Sequence, residues 1–138
     1  MRSAVSLQLT PNSVSSFQSS LLGAVLRVDS AAGAGIDEAA NQVFNLSQSR
    51  VPRVTGALAN SGKITAQDQG LVHCRQISYG DSTANPRTGK STASYAALVH
   101  EVYNVAHPNS YKWLELSMLQ FSQDGFITVL ADALRAAF

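Results

Sequence analysis

The chain has 138 residues, of which 45% are hydrophobic and only 14% charged, with a net charge of +1. That length gives room for one domain with its own core, not comfortably two, and the near-neutral balance excludes a nucleic-acid surface of the usual basic kind. A single cysteine, Cys74, excludes an internal disulfide and fits a reducing compartment.

The thin ionic coat fits a subunit that is packed between neighbours, although composition alone fits a Ser/Thr/Asn/Gln-rich monomer equally well. No run approaches the length of a membrane span. The opening residues, Met1 to Leu7, lack the long apolar core of a signal peptide, so no membrane association is expected.

In chain order, Val5, Leu7 and Leu9 alternate within Ser3 to Thr10, the pattern of a short strand or extended arm over residues 1–12 that Pro11 closes. From Asn12 or Ser13, either a good N-cap, apolar residues recur at Phe17, Leu21, Val25, Val28, Ala32, Ile36, Ala39, Val43 and Leu46. Those steps of three and four predict one helix almost to Arg50, on the order of 55 Å long if unbroken. Gly33 and Gly35 weaken its middle and mark where it would kink. Such a rod exceeds what one small core can cover, so part of its apolar stripe is expected to rest on a second copy.

Pro52 ends the helix, because it lacks a backbone donor and drives Val51 out of the α region. Thr55 is placed to cap one short turn, Gly56 to Asn60, with Gly62 as its closing C′ glycine. Lys63 to Ala66 reads as a strand, Gln67 to Gly70 as a turn, and Leu71 to Tyr79 as the returning strand. In the latter, Leu71, His73, Arg75, Ile77 and Tyr79 share one face and Val72, Cys74, Gln76 and Ser78 the other; neither is cleanly apolar, and one side is expected to be covered by the long helix and the other by a partner or solvent. Gly80 to Thr92 has no hydrophobic periodicity and is dense in turn formers, so residues 80–93 are expected as a mobile loop that orders on assembly. Within it Asp81, Asn85, Arg87 and Lys90 are the candidate contact residues. Ser94 to Glu101 reads as a strand by the alternation of Tyr95, Ala97 and Val99, or as a short helix by Tyr95, Leu98 and Val99; the strand is favoured. Pro108 interrupts the following loop. Ser110 then caps a closing helix whose apolar band runs from Trp113 to Ala137, with Gly125 as a point of division. The whole is a single α+β domain over residues 1–138, with a long N-terminal helix and a C-terminal helix packed on a small, mostly antiparallel sheet.

Three constellations bear on chemistry. Ala84-Asn-Pro-Arg-Thr-Gly-Lys-Ser91 matches the permissive phosphate-binding loop with alanine for the first glycine. Its context argues against that use. The preceding strand ends too early, Pro86 stiffens a backbone that should curl its donors around phosphate, and no apolar strand ending in Asp follows to hold magnesium. His73 and Cys74 are adjacent in a strand and so point to opposite faces, which disfavours a shared metal; a Cys-His nucleophile is geometrically possible across strands, but nothing near Cys74 reads as an electropositive activating pocket. His100-Glu101, His107 and Lys112-Trp113-Leu114-Glu115 are most simply structural, a charged pair fixing the bend before the last helix, with Trp113 packing that helix on the sheet. No catalytic residue, cofactor or metal is therefore expected.

The order of these pieces resembles a known family. A long N-terminal helix, a corner with Pro52, Thr55, Gly56, Leu58 and Gly62, a hairpin, then Tyr95…Val99-His100-Glu101, His107, and Lys112-Trp113-Leu114-Glu115 opening the last helix together look like the minor capsid or tail-completion proteins of tailed bacteriophages. The likeness covers nearly the whole chain from Phe17. It departs at Val54 and Ala59, where members commonly carry an acidic or polar residue and an arginine. It implies a non-enzymatic structural subunit of the virion neck or tail, a head–tail joining or tail-terminator protein made in the host cytoplasm. Such a subunit would form a homo-oligomeric ring, a hexamer, against neighbouring connector and tail-tube proteins. DNA would pass through the lumen without sequence-specific binding.

Overall fold

A computed structural model describes residues 11–138; the expected strand or arm over residues 1–12 lies almost wholly outside them. Helix α1 spans Pro11–Arg50 and is about 60 Å long at 1.5 Å per residue. Asn12 and Ser13, expected at its N-cap, lie inside it. It continues as one helix through Gly33 and Gly35, where the sequence allowed a kink or break. Both glycines are used for close approach instead. A Cβ on Gly33 would lie 3.2 Å from the His73 ring, and one on Gly35 would lie 2.9 Å from Leu130.

After the corner come α2 (Ala57–Asn60), β1 (Lys63–Ala66) and β2 (Arg75–Ser78). The two strands form an antiparallel pair with Ile64 opposite Ile77. The predicted strands are thus found, but the second is shorter, and the hairpin tip is closed by an isolated Gln69–Val72 bridge rather than by a four-residue turn at Gln67–Gly70. At the corner it is Gly56, with φ 79°, that sits at the N-cap of α2, while Thr55 Oγ1 accepts only a long bond of 3.4 Å from Ala57 N. Gly62 does not adopt the left-handed geometry expected of a C′ residue. It is needed for space, because a Cβ there would stand 2.6 Å from Tyr79 and 2.7 Å from Gln48.

The segment favoured as a strand, Ser94 to Glu101, is helical. A 3₁₀ turn at Thr92–Ser94 leads into α3 (Ala96–Glu101). In so short a window the alternation of Tyr95, Ala97 and Val99 overlaps the helical pair Tyr95 and Val99, and tertiary packing of Tyr95, Ala96 and Val99 on the Trp113 cluster selects the helix. A second 3₁₀ turn at Pro108–Ser110 precedes α4 (Trp113–Asp124), and α5 (Phe126–Ala137) follows after Gly125. Ser110 does not cap α4. Its hydroxyl donates to Arg50 O across the corner at 2.9 Å, and Lys112 at φ 49° sets the entry into the helix instead.

Two small cores result. Around the corner, Val51, Leu58, Ala59, Ala96 and Trp113 pack with Tyr79, Tyr95, Val99 and Leu114. Along the middle of α1, Ala39, Val43 and Phe121 pack with Leu46, Ile77, Phe126 and Val129. Phe126 lies by Ala39 and Val43, whereas Leu130 and Ala133 lie against Gly35. Helix α5 therefore runs back along α1 toward its N-terminal end. The fold is α+β, with a long first helix, two C-terminal helices and a two-stranded sheet.

Candidate functional site

Of the corner residues singled out from the sequence, Leu58 gathers with Tyr95, Val99, Trp113 and Leu114 into one buried knot, and Pro52, Thr55, Gly56 and Gly62 are not among its members. Trp113 is 1% exposed and meets the Tyr79 ring edge-on at 5.7 Å and the His100 ring at 4.7 Å. It packs with the corner residues Val51, Leu58 and Ala59 rather than on the sheet proper. Leu58, Tyr95, Val99 and Leu114 join it, while Pro52 lines a shallow depression beside Val99 and His107. His100 Nδ1 lies 2.8 Å from Glu101 Oε1, and that contact, followed by the Lys112 ammonium, holds the Glu101 carboxyl below the usual carboxylate range. Lys112 also pairs with Glu115 at 2.9 Å, which raises its own pKa. The expected charged pair at this bend is thus present. His107 is exposed and stays outside the knot, with its amide donating to Asn104 O.

Residues 80–93 form an excursion with hydrogen bonds of its own. Asp81 N donates to Thr92 Oγ1, Thr92 N to Thr83 O, and Ala93 N to Asp81 O, so buried Thr92 fastens the base. Hydrogen bonds from Thr83 hold the Asp81 carboxyl below its ordinary range. Higher up, an Ala84–Ser91 bridge narrows the loop, and Arg87 and Lys90 are exposed at its tip. Here the phosphate-loop match meets its geometry. The amides of Asn85, Thr88 and Gly89 donate to backbone carbonyls, and those of Arg87 and Lys90 to the side chains of Asn85 and Thr88. A loop that cradles phosphate needs those donors turned inward and free, with a helix opening behind the lysine. The donors are engaged within the loop, and Thr92 opens only a 3₁₀ turn.

A network that the sequence did not reveal ties the hairpin to α1. Asp29 accepts from His73 at 2.7 Å, and Arg75 bridges Asp37 and Asp68. The Asp29 carboxylate raises the His73 pKa, with Asp68, 3.7 Å from Nδ1, adding to it. This is the strand face with no clean apolar pattern. Against α1 it presents His73 and Arg75 to acids, Ile77 to the core, and the Tyr79 hydroxyl to Ser47 at 2.6 Å. The ion pairs to α1, His73 with Asp29 and Arg75 with Asp37, span 44 and 38 residues of sequence, so local pattern carried no sign of them. Below the network lies an open apolar groove of about 380 Å³ among Ile36, Val43, Ile77, Met118, Phe121 and Phe126. His73 and Arg75, which also line it, are engaged with acids, and the Ser122 hydroxyl donates to Leu119 O, which leaves the Cys74 thiol as its free polar group and falls short of the converging set a small-molecule site requires. Among the described residues no group of three or more His, Cys, Asp or Glu is placed to hold a metal ion, and no helix is long and apolar enough to cross a membrane.

The most extensive unsatisfied feature is apolar. The stripe that forms the domain's own core at Ala39 and Val43 continues bare toward the N-terminus, with Phe17 67%, Leu21 54% and Val25 43% exposed. Further large apolar side chains are exposed elsewhere, including Met118 on α4 and Ile127 on α5. In comparison with known proteins, no family model matches the chain, and neither a curated protein nor a solved structure is significantly similar to it.

Proposed function

We propose that the chain is a structural assembly subunit, a tail-completion protein of a tailed bacteriophage neck or tail, which joins copies of itself and neighbouring connector or tail-tube proteins into a ring around the DNA path. The observation that carries this reading is the uncovered first half of α1. A helix that leaves a continuous apolar stripe in water is costly for a monomer and natural for a protein that completes itself on assembly. The ordered series of short motifs from Pro52 to Glu115, the low charge and the exposed loop tip at Arg87 and Lys90 support the same reading. A ring through which DNA slides requires no basic reading surface, in keeping with the net charge of +1.

The test is assembly in the producing phage. With Asp81 to Ser91 replaced by a short Gly/Ser linker, or with Phe17→Asp in α1, electron microscopy should show tails and heads that fail to join or tails of faulty termination. Normal particles that lack the protein altogether would overturn the proposal. The rival reading, nucleotide binding at Ala84–Ser91, is disfavoured by the engaged amides. Titration calorimetry with magnesium and ATP should give no binding heat, and saturable heat abolished by Lys90→Ala would favour the rival.

A further inference from the structure

We infer that the bare stripe of α1 is a homotypic docking surface, on which the first half of α1 of a second copy lies antiparallel across a two-fold axis at Leu21. The stripe consists of Val14, Phe17, Leu21, Val25 and Val28, all exposed. Its spacing of three, four, four and three residues reads the same in both directions from Leu21. A second helix laid antiparallel therefore sets Leu21 on Leu21, Phe17 on Val25 and Val14 on Val28. An isologous contact requires such self-complementarity, since each contact is made twice.

The rest of the fold fixes the direction. Beyond the stripe the same face of α1 is taken up by α5, whose Leu130 and Ala133 lie against Gly35. On its other side the hairpin is latched by His73 to Asp29. A parallel neighbour in register would drive its own α5 and hairpin into those of the first copy. An antiparallel neighbour places the two α5 helices at opposite ends of the contact. Leu71 and Val25, Val28 and Ala32 of α1 also line a hollow at the Val28 end of the stripe, positioned to receive Val14 and Phe17 of the second copy.

The area is that of a modest interface. At roughly 100 Å² of exposed surface per apolar side chain, the five stripe residues offer on the order of 500 Å² per copy, or about 1,000 Å² for the pair, at the lower limit of specific interfaces. No charged residue lies between Pro11 and Leu26, so neither ionic repulsion nor desolvation of charge opposes the pairing. An isologous contact closes at two copies. It leaves the lateral contacts of a ring to other bare residues, such as Met118 and Ile127, and it does not depend on the virion reading.

The experiment uses the full chain. Light scattering after gel filtration at 1–100 µM should give twice the 14.6 kDa chain mass, or a multiple of two. Phe17→Asp/Leu21→Asp should halve the association state with circular dichroism showing the body still folded, and Ser16→Asp, on the opposite face, should leave it unchanged. In a Cys74→Ser background, mild oxidation should cross-link Leu21→Cys to itself. Phe17→Cys alone should stay largely uncross-linked, since the two sites would stand about 12 Å apart along the axis. The Phe17→Cys/Val25→Cys double variant should cross-link. A wild-type monomer at 100 µM would overturn the inference, as would self-cross-linking of Phe17→Cys as efficient as that of Leu21→Cys, which signifies a parallel arrangement.

Discussion

Replacing Trp113 by alanine tests the knot that joins the corner to the C-terminal helices. The side chain is 1% exposed and sits among Val51, Leu58, Ala59 and Ala96, with the rings of Tyr79 and His100 at its edges. Truncation removes a large buried ring and leaves a cavity between elements distant in sequence, which cannot collapse without moving α4. The expected cost is about 3–5 kcal/mol. For a chain of this length that corresponds to a fall in melting temperature of about 10–20 °C. Trp113→Phe should be much milder. The indole Nε1–H finds no acceptor among the described residues, so phenylalanine removes an unsatisfied donor while filling most of the space. Urea unfolding followed by circular dichroism measures both, and Trp113, as the only tryptophan, lets fluorescence follow the parent independently. A Trp113→Ala midpoint within error of the parent would refute the placement of this ring in the core. So would a phenylalanine variant as unstable as the alanine one.

Three further outcomes follow from the same contacts. Asp29 raises the His73 pKa in the folded state, so the pair contributes stability that is fully present below the unfolded imidazole value of 6.5 and is lost as pH rises through the raised value. The melting-temperature advantage of the parent over Asp29→Asn should therefore be larger at pH 6 than at pH 9; parallel pH profiles would contradict the contact. Gly62→Ala should destabilise by about 1–3 kcal/mol in chemical denaturation, because its Cβ meets Tyr79 and Gln48 at less than contact distance, and an unchanged midpoint would show that the corner is looser than described. Gly23→Ala, where nothing lies within 4 Å of the new Cβ, should instead raise stability by about 0.5–1 kcal/mol and increase helicity in circular dichroism.

How far the sequence carried the structure depends on the range of the interactions involved. Helix α1 was legible to its last residue, because its three-and-four spacing persists over many turns and Pro52 stops it by local sterics. The first strand, the division at Gly125 and the excess length of the rod were legible for the same reason. Gly33 and Gly62 were misjudged because their purpose is to admit His73 and Tyr79, neighbours that no local window contains. The helix at Ala96–Glu101 was missed because six residues carry too little periodicity to outweigh a β-like alternation, and packing on Trp113 decided the matter. Of the candidate assembly surface, the bare stripe could be foreseen from helix length alone. The latch of His73 and Arg75 onto Asp29, Asp37 and Asp68 could not, since it joins residues that only the folded hairpin brings together.

The central claim is that the first half of α1 is completed by another molecule, and hydrogen exchange of its amides tests this most directly. A lone helical segment of this length, without packing, exchanges its amides readily in water. Followed by mass spectrometry as protein concentration rises from submicromolar to 100 µM, the peptides covering residues 14–28 should gain protection, while those covering residues 36–47 stay protected throughout. Residues 14–28 exchanging at the unprotected rate at every concentration, and equally in assembled particles, would contradict the account.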